Sequence, residues 1–144
     1  MYVQNLLKFR KGILKGLVTK LLKLRGLEIP KEVIIGKNVE FPHNSIGTVI
    51  HNNTVIENNV KIYQNVTLGR ADIYLPIEKS KMNGFLIKEG AIICAGAKVL
   101  CKEGTLVIGK NSIVGANAVL VNSTGDNEVW AGIPAKKIGN RKDL

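Results

Sequence analysis

Residues 87–120 read IKEGAIICAGAKVLCKEGTLVIGKNSIVGANAVL. Within that stretch an aliphatic residue returns every six positions, at Ile87, Ile93 and Val99 and, after three extra residues, at Ile108, Val114 and Leu120. Toward the amino terminus the same grid runs through Ile50, Ile56, Ile62 and Leu68, and before them Ile29, Ile35 and Phe41. Four residues after these anchors stand small or β-branched side chains such as Val33, Val60, Ala91, Ala97, Ser112 and Ala118; Asp72 and Glu103 break the column, both where the grid is interrupted. Three residues after the anchors come Asn38, Asn44, Asn53, Asn59, Asn65, Gly90, Gly96, Asn111 and Asn117. Asn and Gly are the residue types that tolerate a positive φ. A period of six with a left-handed residue in each repeat excludes an amphipathic helix, whose period is 3.6, and a simple antiparallel meander.

The pattern resembles the hexapeptide-repeat, left-handed β-helix acyltransferases over residues 28–139. The resemblance implies an all-β fold, a left-handed parallel β-helix of about four coils. In it three hexapeptides make one triangular coil, the anchors point inward and the small residues fill the corners. The expected organisation is an N-terminal basic helix over residues 1–27, the β-helix over 28–125 with a loop insertion at 70–86, and a closing segment over 126–144.

Composition agrees with one folded domain: 144 residues, 45% apolar, rule out a disordered polyelectrolyte. Charge is concentrated at one end. Residues 1–27 carry Lys8, Arg10, Lys11, Lys15, Lys20, Lys23 and Arg25 and no acid, whereas the rest holds 14 basic and 11 acidic residues. Leucines at helical spacing between those charges predict one amphipathic helix over residues 3–25. Two roles stay open for it: packing its apolar stripe on the end of the domain, or peripheral contact with anionic lipid. Nucleic acid is not an expected partner, since aromatic residues do not interleave with the basic ones. Cys94 and Cys101 fit neither a disulfide framework nor a zinc spacing, and no metal site is expected. With no long apolar run and no leader pattern, the expected location is cytoplasmic, or the inner face of the membrane if the helix meets lipid.

The interruptions of the grid are where a rigid scaffold places binding groups. Three residues are added between Phe41 and Ile50, thirteen between Leu68 and Ile87, and three between Val99 and Ile108. The longest, RADIYLPIEKSKMNGFL at 70–86, by resemblance reaches over a site shared between subunits, which implies a homotrimer. Within the family the stretches FPHNSIGTVI, VKIYQNVTLGR, IKEGAIICAGAKVL, IGKNSIVGANAVL and WAGIPAKKIG are similar to the serine acetyltransferases and to relatives that acetylate sugars of capsule and exopolysaccharide, including the colanic-acid acetyltransferases. His43 falls on the catalytic His of that branch, and Glu28, 15 residues upstream, where the partner Asp stands.

Acyl transfer from a thioester to a hydroxyl needs a base for the hydroxyl proton, which neutral imidazole supplies. A carboxylate such as Glu28 would orient the ring. The resemblance further implies backbone N–H groups of Gly69 and Arg70 as oxyanion donors, and acetyl-CoA held by Gly69, Ala95, Ala116, Lys136 and Lys137. Tyr63, Gln64 and Asn83 are candidates to meet the acceptor. Trp130 is expected to cap the last coil, and His51 to be an exposed corner residue. Pro42, Asn83 and Gly84 replace the acidic and basic residues with which the serine enzymes hold an amino acid. The expected acceptor is therefore a sugar or polysaccharide hydroxyl, with serine as the alternative and a non-catalytic scaffold as the third reading.

Overall fold

A computed structural model of the chain describes residues 3–10 and 12–141. Its strands are β1 (Ile34–Ile35), β2 (Thr54–Ile56), β3 (Lys61–Ile62), β4 (Thr67–Arg70), β5 (Lys81–Ile87), β6 (Ile92–Ile93), β7 (Lys98–Cys101), β8 (Glu103–Ile108), β9 (Ile113–Val114), β10 (Val119–Leu120), β11 (Glu128–Gly132) and β12 (Ala135–Asn140). They stack into three faces of a prism. The first holds β4, β7 and β10, the second β1, β2, β5 and β8, and the third β3, β6, β9, β11 and β12. Every pairing is parallel except β11 with β12. Single bridges Glu28↔Val49, Val49↔Thr67 and Glu40↔Lys61 continue the first and third faces into the earliest coils.

The six-step grid is the core. Each anchor pairs in register with its counterpart one coil on, as in Ile62↔Ile93 and Ile93↔Val114. All the anchors are buried except Ile35, which is half-buried. The small residues four positions on are buried too, so each corner has room to turn. Trp130 pairs with Val114 and thereby extends an inward column, where its half-buried ring packs on the core as a lid.

The corner column explains the Asn and Gly pattern. Asn38, Asn59, Gly90, Asn111 and Asn127 all have positive φ, and so do Asn65, Gly96 and Asn117 at the next corner. Carboxamides hydrogen-bond along the stack, Asn38 Nδ2 to Asn59 Oδ1 at 3.2 Å and Asn111 Nδ2 to Asn127 Oδ1 at 3.3 Å. Where one coil presents Asn, its neighbour can be forced to Gly. A Cβ on Gly96 would lie 2.0 Å from Asn117 Oδ1. Asn53 does not take the left-handed conformation expected of it; its carbonyl instead accepts from Phe85 N at 2.8 Å and closes against Gly84.

Two boundaries differ from the sequence expectation. The single helix over 3–25 is a pair, α1 (Val3–Lys8) and α2 (Leu14–Leu24), because Gly12 at φ 52° leaves the helical region between them. Val3, Leu6, Val18 and Leu22 bury their side chains on the first coil. The insertion expected at 70–86 is shorter, since Arg70 still belongs to β4 and residues 81–86 to β5, leaving 71–80 with a short 3-10 turn at Ile77–Lys79. Those extra strand residues pair with β8 through a bulge at Asn83 of β5, where the register shifts between Met82 and Gly84.

Replacing Ile93, fully buried at the centre of its column, by Ala should cost about 2–5 kcal/mol of unfolding free energy. The check is the urea midpoint of the two proteins, and an unchanged midpoint would mean that the stacked anchors do not carry the fold.

Candidate active site

The expected site residues fall on two edges of the prism. At the edge where the third face turns into the first, the chain passes through a 3-10 turn at Pro42–Ser45, with His43, Asn44 and Ser45 at φ 54°, 56° and 44°. Three consecutive left-handed residues other than glycine are costly, on the order of 1–3 kcal/mol each, and persist only if neighbours hold them. The neighbours are present. Ser45 Oγ donates to Ile62 O at 2.6 Å, and Asn44 Oδ1 accepts from Val3 N of α1 at 3.2 Å. The three-residue insertion also moves the corner column: Gly47, at φ 77°, takes the place on Asn65 that Asn44 was expected to fill.

Thr48 is the tie that the grid did not reveal. It is fully buried, donates its Oγ1 to Tyr63 O at 2.9 Å and accepts from Val66 N at 3.2 Å. Its backbone N–H bonds Ser45 O at 3.0 Å, and its carbonyl accepts from Glu28 N at 2.9 Å. Through it the chain at Glu28, the His43 turn and Tyr63 are drawn to one edge. His43 is exposed there, with its ring centroid 6.3 Å from that of Tyr63. The Glu28 carboxylate is paired with Lys23 Nζ of α2 at 3.2 Å, and among the described residues no hydrogen bond joins it to His43.

Below His43, small residues line the same edge. Gly96 N donates to Gln64 O and Asn117 N to Ala95 O, both at 2.9 Å, so Gln64, Ala95 and Ala116 stack from coil to coil. Gln64 Oε1 is buried without a hydrogen-bond partner, an acceptor left for something else to satisfy.

Gly69, Arg70 and Asn83 lie elsewhere, at the edge between the first and second faces. Thr67 N and Ala71 N donate to Ala97 O and Cys101 O, so strand alternation turns the Gly69 N–H into the same ladder. The Arg70 N–H points the other way. The expected pair of oxyanion donors is thus reduced to one. The Arg70 guanidinium folds the 71–80 loop, bonding Asp72 Oδ1 at 2.8 Å and the carbonyls of Asp72 and Leu75 at 3.0 Å. Asp72, whose place in the corner column made it look like a break, is buried, and its carboxyl is held below the usual range by the Ser80 hydroxyl and by Arg70. Asn83 is the exposed residue of the bulge.

His51 corrects the sequence reading. It is half-buried rather than an exposed corner, with its ring 6.0 Å from Phe85 and Nδ1 accepting from Asn53 N at 3.1 Å. Burial, and secondarily the Arg70 charge, lowers its pKa. The pairing of Val49 with Thr67 brings it beside Arg70, a register that no local signal announces. Of the two lysines expected at phosphates, Lys137 is engaged by Glu128 Oε1 at 2.9 Å, while Lys136 is exposed on β12. Burial pushes both cysteine thiols up, away from nucleophilic use.

No family model matches the chain. The serine acetyltransferase of Staphylococcus xylosus is 34% identical over 131 residues, which are 90% of this chain and 56% of that protein. That of Haemophilus influenzae is 32% identical over 108 residues, 75% of this chain and 37% of that one. The crystal structure of the Brucella abortus strain S19 serine acetyltransferase in complex with coenzyme A superposes with a TM-score of 0.73 at 28% identity, covering 91% of this chain and 48% of that one. The fold is therefore the left-handed parallel β-helix, and the chain is similar to the hexapeptide-repeat acyltransferases. Its similarity within them is to serine acetyltransferases, of which it spans about half the length or less. The expectation of a sugar or colanic-acid branch is overturned by these relatives. Asn83 and Gly84 carry no charge, but a charged acceptor can be held by groups elsewhere.

Two outcomes test this geometry. Thr48→Val keeps the shape but strips one buried and one part-buried backbone group of their partner, and should lower stability by about 1–3 kcal/mol in urea unfolding; a neutral result would show that the tie is idle. Glu128, bonded by Trp130 Nε1, Lys137 and Gly125 N, has its pKa lowered from 4.5 to about 2. Because the folded value is the lower one, its stabilisation is complete above pH 4.5 and is lost as pH falls toward 2. Glu128→Gln should flatten the acid limb of the stability profile over that window, and an acid limb identical to that of the unsubstituted protein would refute the assignment.

Proposed function

We propose that the chain transfers the acetyl group of acetyl-CoA to the hydroxyl of serine. The observation that carries this is the edge on which His43 and Tyr63 stand at the head of a column of small residues, Ala95 and Ala116, with the unpartnered acceptor of Gln64 beside it. Homology to serine acetyltransferases supports the donor and the acceptor. A slim amide-bearing arm such as that of coenzyme A suits such an edge, where small side chains let backbone groups come close.

In the reaction His43 takes the proton of the acceptor hydroxyl as its oxygen forms a bond to the thioester carbonyl carbon. The tetrahedral oxyanion accepts a hydrogen bond, for which the Arg70 N–H is the donor in our reading. The C–S bond then breaks, and the departing thiolate receives the proton from the imidazolium. No protein nucleophile is consumed. Glu28 steadies the imidazolium once its carboxylate leaves Lys23, which makes it a positioning residue. In one copy His43 and Arg70 occupy different edges, so the reading includes a homotrimer in which the 71–80 edge of one copy meets the His43 edge of the next. Lys136, free of the Glu128 contact that holds Lys137, is the stronger candidate for the nucleotide phosphates.

His43→Ala should reduce turnover by about 10²–10⁴-fold, followed as free thiol released from acetyl-CoA in the presence of serine. Thiol release at the unsubstituted rate, or none from the native protein with serine, would overturn the proposal.

A further inference from the structure

The outer side of the N-terminal helices has no part in the edge described above. Helix α2 turns Val18 and Leu22 into the domain. A second apolar stripe runs along it. Ile13, Leu17 and Leu24 are spaced four and seven residues apart and so share a face, and they are 101%, 56% and 84% exposed. Phe9 and Leu14 beside them are also exposed. Lys8, Lys20, Lys23 and Arg25, in and just after the two helices, are all exposed, Lys23 with Glu28 as its partner, and residues 1–27 contain no acid. A groove of about 1170 Å³ opens between the helices and the first coil, with Lys8, Lys15, Lys37 and Glu40 among its lining.

We propose that the α1–α2 pair docks the protein on the surface of an anionic lipid bilayer, with Ile13, Leu17 and Leu24 at the acyl boundary and the surrounding lysines among the headgroup phosphates. Among the described residues no helix is long and apolar enough to cross a membrane, so this is a helix lying in the interface plane. Charge decides the occupant. A second copy of the chain would bring seven basic residues against seven, whereas lipid phosphates bring the opposite sign. The two apolar stripes also reconcile the roles left open by the sequence, because one packs on the domain while the other remains available.

The test is co-sedimentation of the full chain with vesicles. With mixed phosphatidylcholine and phosphatidylglycerol the protein should sediment, less so as salt rises, and with phosphatidylcholine alone it should stay in the supernatant. Ile13→Ser/Leu17→Ser/Leu24→Ser, and separately Lys8→Glu/Lys20→Glu, should each weaken binding by roughly tenfold or more, with unfolding temperature and thiol release unchanged. Absence of binding to the anionic vesicles, equal binding to neutral ones, or variants that bind like the native chain would each overturn the proposal. So would a drop in oligomer mass in the triple variant with no vesicle binding by the native chain, which would assign the stripe to a second copy. The vesicle-binding readouts do not depend on the identity of the acetyl acceptor.

Discussion

Every coil of this protein turns on a residue that accepts the left-handed backbone, and each such residue must fit against its counterpart one coil away. Carboxamides stack on carboxamides, as Asn38 on Asn59, or a carboxamide fills the space that a missing Cβ leaves, as Asn117 does against Gly96. That fit fixes the register between coils. Register in turn puts anchor on anchor and small residue on small residue, so the core columns follow from the corners. A side chain in place of Gly96 would meet Asn117 Oδ1 at 2.0 Å on a backbone at φ 74°, so the carboxamide would have to leave its seat and the new residue would hold a strained backbone.

The same constraint shows how a site can be inserted without breaking the fold. Three added residues before Ile50 displace Asn44 from the corner column, Gly47 takes over its position, and the turn thus freed carries His43 outward on a strained backbone. Strain there is held by Ser45, by Thr48 and by the N-terminal helices. Those helices touch both members of the proposed dyad region, through Val3 N on Asn44 and Lys23 on Glu28. Their inner stripe is therefore structural to the site, while their outer stripe is left over from it.

Sequence reasoning went furthest where a residue type answers to one physical demand. Ile93 is buried because its period demands it, and Asn111 is left-handed because few other side chains tolerate that backbone. It fell short where the demand is set by a distant neighbour. His51 looked like a corner residue until Val49 was found against Thr67, and Asp72 looked like a break until Arg70 closed on it. Reading the absence of a charged pair at Asn83 and Gly84 as a sugar preference failed for a related reason: an acceptor can be held by groups that another part of the chain, or another copy, supplies.

From the order of residues alone came the six-residue period, the inward columns, the left-handed corners and the basic amphipathic start, because each is a local or strictly periodic property of the chain. Three-dimensional packing alone decided that Thr48 ties Glu28 to the His43 turn, that Glu128 engages Lys137, and that His43 and Arg70 stand on separate edges. These arise from contacts between residues far apart along the chain, and a contact of that kind exists only once the coils have stacked in one register.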